Sequence, residues 1–246
     1  MRNIKLTIEY DGKDFNGWQK QPNKLNIQGT IEQAIERITG EKVELNASGR
    51  TDAGVHAYGQ VANFKTNSNI PIEKIPIAIN SNIKKSIVIK SAEEVEERFH
   101  SRLNCKRKTY RYVINNSKYG TAIYRNLETH IPQKLNVEKM KQAVKYFEGE
   151  HDFKAFKASG TSSKSSVRTI YKAEIIEKEN ERIYIELTGN GFLYNMVRII
   201  AGTLVEVGLE KIEPEDIKEI IKSKKRENAG KTLPPQGLYL LKVEYD

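Results

Sequence analysis

Alternating hydrophobic and polar side chains predict eight strands in this chain. Residues 2–10 are the clearest case, because Ile4, Leu6, Ile8 and Tyr10 occupy every second position. Successive side chains of a strand point to opposite faces, so a period of two predicts a half-buried strand. Similar patterns predict strands at residues 42–47, 58–65, 86–91, 109–115, 168–177, 182–188 and 238–245.

Five other stretches are predicted to be helices, mostly because their apolar residues recur every three or four positions. In residues 30–39 these positions are Ile31, Ala34, Ile35 and Ile38, and Gly40 follows as a stop signal. The other predicted helices span residues 71–80, 137–147, 192–207 and 214–222. The segment 192–207 is long and apolar, yet it contains an arginine, Arg198.

The order of these elements indicates the fold class. Residues 1–104 read βαββαβ, the order of a ferredoxin-like unit, and residues 105–246 repeat that order without a recognisable sequence repeat. We therefore predict an α/β (α+β) fold of two ferredoxin-like domains, divided between residues 104 and 105. Their sheets are expected to join into one continuous mixed or antiparallel sheet with helices packed on it and a ligand cleft between the halves.

Charge suggests a class of partner. The 246 residues include 41 Lys and Arg against 32 Asp and Glu, a formal net charge of +9. Residues 1–103 hold 15 basic and 13 acidic residues, whereas residues 104–246 hold 26 and 19. Because basic side chains bind nucleic acids through phosphate, this excess favours a nucleic-acid partner. Two basic polar segments, 157–166 and 222–231, are either plain surface loops or arms that order on a phosphate backbone.

Composition also argues against several classes of protein and of site. No apolar run approaches the roughly 18 residues of a membrane-spanning helix, and the chain begins with a predicted strand, so we expect neither a membrane span nor a signal peptide. The single cysteine, Cys105, excludes an intramolecular disulfide and fits a reducing cytoplasm. The four histidines lack the spacing of metal ligands, so no metal site is expected.

The segment 47–57, Ala-Ser-Gly-Arg-Thr-Asp-Ala-Gly-Val-His-Ala, carries the strongest candidate chemistry. Its small and polar residues predict a loop at 48–54, held at both ends by strands. The loop presents one carboxylate, Asp52, with the guanidinium of Arg50 two residues away. An aspartate in a turn commonly accepts backbone hydrogen bonds, so the residue type alone leaves structural and catalytic roles open.

Three motifs resemble those of the TruA-type tRNA pseudouridine synthases. The first is Gly-Arg-Thr-Asp-Ala-Gly-Val-His-Ala at 49–57, which is highly specific. The others are Lys-Thr-Tyr-Arg-Tyr at 108–112 and Gly-Asn-Gly-Phe-Leu-Tyr-Asn-Met-Val-Arg at 189–198. Tyr-Asp-Gly at 10–12 and Phe-Asn-Gly-Trp-Gln at 15–19 are also similar to the family's start. The resemblance covers essentially the whole chain.

The resemblance implies a cytoplasmic enzyme that isomerises uridine to pseudouridine in tRNA without metal or cofactor. The implied targets are positions 38, 39 and 40 of the anticodon arm. The implied assembly is a homodimer in which each tRNA contacts both subunits. Because the target positions vary, recognition is expected to use the shape and backbone of the stem more than base edges.

The resemblance also assigns roles to individual residues. Asp52 matches the family's nucleophile, and the chemistry agrees, since cleaving a nucleoside C1′–N1 bond resembles glycoside cleavage by a carboxylate. Arg50 is a nearby cation that would keep Asp52 ionised and oriented. Tyr110 matches an active-site tyrosine expected to lie against the target base, where a phenol offers a stacking face and a polar tip.

Arg198 matches a second basic residue that is thought to pair with the catalytic aspartate. An arginine at the centre of an apolar helix also needs a partner, because an unpaired buried charge is costly, and both arguments predict an Arg198–Asp52 pair. Leu193 is predicted on the same helix, where it either shapes a uracil pocket or belongs to the core. Tyr112 and His56 are interpreted as structural, with His56 at the start of a strand.

Two other functions fit parts of the pattern. A pure RNA-binding module would use the basic excess and the aromatic side chains without any catalysis. A nucleoside or sugar hydrolase would use Asp52 in a similar way but would need a second carboxylate as general acid. No acidic residue near the loop stands out for that role.

Overall fold

The computed structural model describes residues 1–160 and 165–245. These residues group into two compact units: unit 1 is residues 1–106 together with the chain from Tyr239 onward, and unit 2 is Arg107–Leu238. The domain division between residues 104 and 105 stays a prediction. The segment 157–166 lies partly outside the described residues.

The strands and helices confirm the predicted α/β fold class. In chain order they are β1 (Arg2–Tyr10), α1 (Ile27–Thr39), β2 (Asn46–Ala47), β3 (His56–Thr66), α2 (Ile75–Asn80), β4 (Ile87–Val95), β5 (Arg107–Asn115), β6 (Thr129–His130), α3 (Val137–Val144), β7 (Gly149–Asp152), β8 (Val167–Lys178), β9 (Arg182–Gly189), α4 (Met196–Gly208), α5 (Asp216–Ser223) and β10 (Leu238–Glu244). None of the helices in the described residues has the length and apolar content needed to cross a membrane.

Unit 1 is a ferredoxin-like unit with an added strand. Its strands lie in the order β4-β1-β3-β2, and each neighbouring pair is antiparallel. β2 pairs only with the later part of β3, and β10 pairs in parallel with its start, at His56 and Ala57. The prediction that β1 buries the alternating apolar side chains is confirmed, since Ile4, Leu6 and Ile8 are fully buried.

Helix α1 begins three residues earlier than predicted. The side chain of Asn26 accepts a hydrogen bond from the backbone N–H of Gly29 and so caps the helix. Asn is a favoured residue at this position because its side-chain oxygen satisfies an amide that the first turn leaves open. The helix ends as predicted at Gly40, which has a left-handed conformation.

The predicted strand 42–47 is mostly wrong, because only Asn46 and Ala47 pair with β3. Directly before them, the backbone N–H of Leu45 donates to the buried side chain of Glu32 in α1 at 3.0 Å. A side chain from a helix thus takes an amide that a sheet neighbour would otherwise bind. Periodicity in the sequence does not reveal such a competing acceptor.

In unit 2 the strands β5-β9-β8-β7 lie in that order with each neighbouring pair antiparallel, and the short β6 is parallel to β5. β8 and β9 form the predicted hairpin around the turn at 179–181, where Asn180 and Glu181 have positive φ angles. Neither β6 nor β7 was predicted, because two and four residues are too few to show a period. Helix α4 is almost entirely buried.

Candidate active site

In unit 1, the predicted loop carrying Asp52 connects β2 to β3, and its first residues are fastened to β3. The backbone N–H of Ser48 donates to Val61 O at 2.8 Å, and the Ser48 hydroxyl donates to Gln60 Oε1 at 2.7 Å. The amide nitrogen of Gln60 donates to Gly49 O at 2.9 Å. Ser48 and Gln60 are fully buried, so the bond between their side chains forms away from competing water.

The opposite side of the loop is held by residues 10–18. Thr51 O accepts the backbone N–H of Trp18 at 3.0 Å, and the Thr51 hydroxyl lies 2.8 Å from the phenol oxygen of Tyr10. The rings of Tyr10 and Trp18 pack together with centroids 6.1 Å apart. Thr51, the residue before Asp52, is therefore fixed through both its backbone and its side chain.

Two glycines allow this close approach. A Cβ at Gly12 would collide with Val55 O, and a Cβ at Gly17 would lie 2.7 Å from Thr51 O. Gly17 also has a φ of +83°, which side chains rarely tolerate. The Tyr-Asp-Gly and Phe-Asn-Gly-Trp motifs thus hold the Asp52 loop. The sequence displayed both motifs, but it did not reveal that they contact this loop.

Asp52 itself is partly exposed, and its backbone carbonyl accepts the N–H of Val55 at 3.2 Å, which closes the turn after it. The side chain of Arg50 is exposed. The loop therefore presents one carboxylate on a backbone that is fixed on both sides. The partnership of Arg50 with Asp52 stays a prediction.

His56 is the first residue of β3, as predicted, and is almost completely buried. Its Nδ1 accepts the backbone N–H of Gly12 at 3.1 Å and lies 3.1 Å from a carboxylate oxygen of Asp11. Its ring stacks on Tyr239 of β10 with centroids 4.9 Å apart. These contacts tie the chain after the loop to the Tyr-Asp-Gly motif.

In unit 2, Tyr110 lies on β5 opposite Leu187 of β9 and is 8% exposed. The ring of Phe192 meets it edge to face at 5.1 Å. Tyr112 lies on the same side of the strand and is completely buried, as the structural interpretation expected. Its phenol oxygen bonds to the Thr129 hydroxyl at 2.6 Å and donates to Pro234 O at 2.7 Å. Burial raises the pKa of the Tyr112 phenol above its ordinary value.

Arg198 lies in the first turn of α4, so its predicted place at the centre of the helix is wrong. Its Nε donates to Leu233 O at 2.7 Å, and its Nη1 donates to Asn195 Oδ1 at 2.7 Å. Neutral oxygens therefore satisfy part of the guanidinium. A pairing of Arg198 with Asp52 stays a prediction.

Leu193 precedes α4, so its predicted place on the helix is wrong as well. The helix begins at Met196 because Asn195 has a φ of +60°, a left-handed conformation that breaks a continuous helix. Leu193 is 5% exposed, and its carbonyl accepts the N–H of Met196 at 3.0 Å. The apolar residues before Met196 had helical spacing, which extended the prediction too far.

Within residues 1–160 and 165–245, no three His, Cys, Asp or Glu side chains are grouped so that they could hold a metal ion. The two units thus offer different chemistry. Unit 1 presents a carboxylate on a fastened loop, whereas unit 2 presents a bonded guanidinium on α4 and a phenol on β5.

The chain is similar over its full length to known proteins of one family. The profile of a family described as tRNA pseudouridine synthase matches residues 6–104 and 143–246. Proteins named tRNA pseudouridine synthase A from Acetivibrio thermocellus and Caldicellulosiruptor bescii are 52% and 54% identical to this chain over 245 residues. A protein from Clostridium perfringens named tRNA pseudouridine synthase A 2 is 54% identical over the same length. Each match covers 100% of both chains.

Solved structures add nothing at this level of similarity. One chain of the "Crystal structure of the archaeal box H/ACA sRNP Nop10-Cbf5 complex" is 13% identical, with a TM-score of 0.38. The match covers 91% of this chain and 59% of that one. With so low a score, the likeness supports no conclusion about this chain.

Proposed function

We propose a catalytic role for Asp52 from one premise: this chain belongs to the tRNA pseudouridine synthase family. Membership makes it an isomerase that converts uridine to pseudouridine in tRNA. The observation that carries the proposal for Asp52 is the loop between β2 and β3, which presents this carboxylate on a backbone fixed by Gln60, Trp18 and Tyr10.

The reaction exchanges one bond for another within the nucleoside. The C1′–N1 bond breaks, uracil turns while it stays bound, and a C1′–C5 bond forms. N1 gains a proton and C5 loses one, so no oxidant or second substrate is consumed. We assign Asp52 as the covalent nucleophile, because an ionised carboxylate can attack an electron-poor centre without metal or cofactor.

The other predicted residues receive roles in the same proposal. Tyr110 stacks against the target base, which its place on β5 and the edge-to-face packing of Phe192 support. The guanidinium groups of Arg198 and Arg50 supply positive charge near the reacting groups. The hydrogen bonds of Arg198 to Leu233 O and Asn195 restrict the direction of its guanidinium. Leu193, buried in the turn before α4, contributes an apolar wall for uracil.

We further propose positions 38, 39 and 40 of the anticodon arm as targets, a homodimer as the active form, and the cytoplasm as the location. The sequence of the three motifs supports these assignments, together with full-length similarity to the named relatives. The net charge of +9 supports a partner with a phosphate backbone.

Release of tritium from tRNA labelled at uridine C5 tests the role of Asp52, because forming the C–C glycosidic bond expels that hydrogen, whereas RNA binding and hydrolysis of the C1′–N1 bond leave it in place. We expect release by the wild-type protein and none by Asp52→Asn. The variant should keep its fold, measured by circular dichroism, and its affinity for tRNA.

Other outcomes separate the alternatives. Equal release by both proteins would preserve the enzyme class but remove Asp52 as nucleophile. Release of free uracil would indicate a hydrolase. Binding of tRNA without release of tritium by the wild-type protein would favour the RNA-binding module.

A further inference from the structure

The buried hydroxyl pair of Tyr10 and Thr51 lies directly beside the proposed nucleophile in the chain. We propose that Tyr10 and Thr51 are positioning residues that fix the direction of the Asp52 carboxylate. This inference rests on the proposed role of Asp52 and deepens it, because it gives the Tyr10–Thr51 pair a specific effect on the direction of the carboxylate.

The pair is sheltered from solvent. Tyr10 is 2% exposed and Thr51 is 6% exposed, and their oxygens are 2.8 Å apart. Burial raises the pKa of the Tyr10 phenol, while hydrogen bonds with Thr51 and Gln60 oppose the rise. The phenol thus stays protonated around neutral pH and keeps its hydrogen for this network. Without competing water, the bond holds its geometry more firmly than a surface bond would.

Thr51 is the point where the loop is most constrained before Asp52. Its carbonyl accepts the N–H of Trp18, and its hydroxyl bonds to Tyr10, whose ring packs on Trp18. The peptide that follows Thr51 is the one that carries Asp52. With the carbonyl and the side chain of Thr51 both held, the peptide plane that leads into Asp52 is held, and the bond from the Val55 N–H to Asp52 O restricts the rotation that remains at Asp52.

The fastenings made by Gln60 act farther from the carboxylate along the chain, because they hold Ser48 and Gly49, three or four residues before Asp52. Rotations at Arg50 and Thr51 could still turn Asp52 if these were the only bonds. The Tyr10–Thr51 pair removes that freedom together with the bond from the Trp18 N–H to Thr51 O. A misplacement of about 1 Å at a reacting group can cost about 100-fold in rate.

The test measures single-turnover tritium release with enzyme in excess over labelled tRNA, which separates chemistry from binding. We expect Tyr10→Phe and Thr51→Val to lower the rate constant about 10- to 100-fold while the affinity for tRNA is unchanged. Thr51→Ser retains the hydroxyl and should restore a rate close to that of the wild type. The Tyr10→Phe/Thr51→Val double variant should be no slower than the slower single variant, because both remove the same bond.

Tyr245→Phe is the matched control. Its phenol donates a hydrogen bond at 2.7 Å to Ser101 O, also in unit 1, and burial likewise raises its pKa. It should lose a comparable amount of stability with no change in the rate constant. Rates are compared at a temperature at which circular dichroism shows every variant folded. Thr51→Val leaves the Tyr10 ring in place, so it gives a second test if Tyr10→Phe does not fold.

The outcomes distinguish this inference from the proposed function. An inactive Asp52→Asn with wild-type rates for Tyr10→Phe and Thr51→Val would overturn the positioning role alone. Equal slowing by Tyr245→Phe, or additive effects in the double variant, would also overturn it by showing a general loss of structure. An active Asp52→Asn would remove the proposed nucleophile, whatever the rates of the other variants.

Discussion

Each unit buries a tyrosine of its first long strand against a threonine hydroxyl, but the two pairs support residues of opposite charge. In unit 1, Tyr10 of β1 bonds to Thr51, the neighbour of Asp52 in the chain. In unit 2, Tyr112 of β5 bonds to Thr129 and to Pro234 O. The residue before Pro234, Leu233, supplies the carbonyl that accepts from Arg198.

The difference reflects the length of the two charged side chains. An aspartate has only two side-chain torsions, so fixing the backbone beside it limits its carboxylate to a few positions. An arginine has a long, rotamer-rich side chain, and its head needs acceptors of its own, which Leu233 O and Asn195 Oδ1 provide. We infer that unit 1 positions the Asp52 carboxylate through the backbone beside it. Unit 2 positions the Arg198 guanidinium through hydrogen bonds to the charged group itself.

The largest expected effects come from glycines at which two backbone segments meet. A Cβ at Gly12 in unit 1 would collide with Val55 O, and a Cβ at Gly202 in unit 2 would collide with Lys231 O. Both neighbours are backbone atoms that cannot rotate away. We expect Gly12→Ala and Gly202→Ala each to lower the free energy of unfolding by about 3 kcal/mol, measured by urea denaturation.

Gly191→Ala is the control for these two variants. Its Cβ would meet only Arg168 side-chain atoms, at 3.7 Å or more, which is ordinary contact. It should change stability by less than about 1 kcal/mol. Equal losses in all three variants would mean that close backbone packing is not what these glycines provide.

The next effect concerns the guanidinium in unit 2. Arg198→Lys keeps the charge, but an ammonium group cannot reproduce the two separate bonds from Nε and Nη1. If bonds to the charged group itself determine its position, the rate of tritium release should fall about 100-fold, equivalent to about 2.7 kcal/mol. Single-turnover kinetics provide the measurement.

Arg111→Lys is the matched control for Arg198→Lys. Arg111 is also in unit 2, where its Nε donates to Glu186 at 2.7 Å and its guanidinium lies 4.5 Å from the Tyr184 ring centre. It has no place in the proposed chemistry. A wild-type rate of tritium release by Arg198→Lys would contradict the proposed role of the Arg198 bonds. An equal loss of rate in Arg111→Lys would contradict it as well.

The smallest effect is a loss of stability at alkaline pH. Burial raises the pKa of both Tyr10 and Tyr112 above the ordinary value of 10.0. Above about pH 10 the unfolded chain therefore releases these protons while the folded chain keeps them, and stability falls as pH rises. By pH 11 the loss should be about 1.4 kcal/mol for each tyrosine.

The free energy of unfolding of the wild type should fall between pH 8 and 11. In Tyr10→Phe and in Tyr112→Phe this fall should in each case be smaller by about 1.4 kcal/mol. Urea denaturation at a series of pH values gives the measurement, with each variant compared with the wild type. The same pH dependence in wild type and variants would show that these phenols ionise equally in the folded and unfolded chain.

Much of the fold could be predicted, since its long elements repeat a simple pattern. Strand β1 has the predicted bounds, and the fold class and the first βαββαβ order are confirmed. The failures occur where a single residue, and not a repeating pattern, decides the outcome. Glu32 takes the amide of Leu45 from the expected strand, and left-handed Asn195 moves the start of α4 to Met196.

The sequence proposed a set of residues for the candidate site but did not show their arrangement. The loop at 48–54 was expected from its small polar residues, and it lies where the two flanking patterns placed it. Nothing in the order of residues showed that Tyr10, Trp18 and Gln60 hold this loop, because those contacts join positions far apart in the chain. The catalytic assignments of Asp52, Arg50, Arg198, Tyr110 and Leu193 stay proposals.

The sequence by itself determined the family, the α/β class and the loop that presents Asp52. Each of these depends on residues close together in the chain, namely on motifs, on hydrophobic periodicity and on turn-forming residues. The tertiary structure alone decided that Tyr10 and Trp18 hold Thr51, that Leu233 O accepts from the Arg198 guanidinium and that Glu32 binds the amide of Leu45. Those outcomes depend on hydrogen-bond partners from separate segments. Such partners meet only after the chain has packed and water has been excluded from the bonds between them.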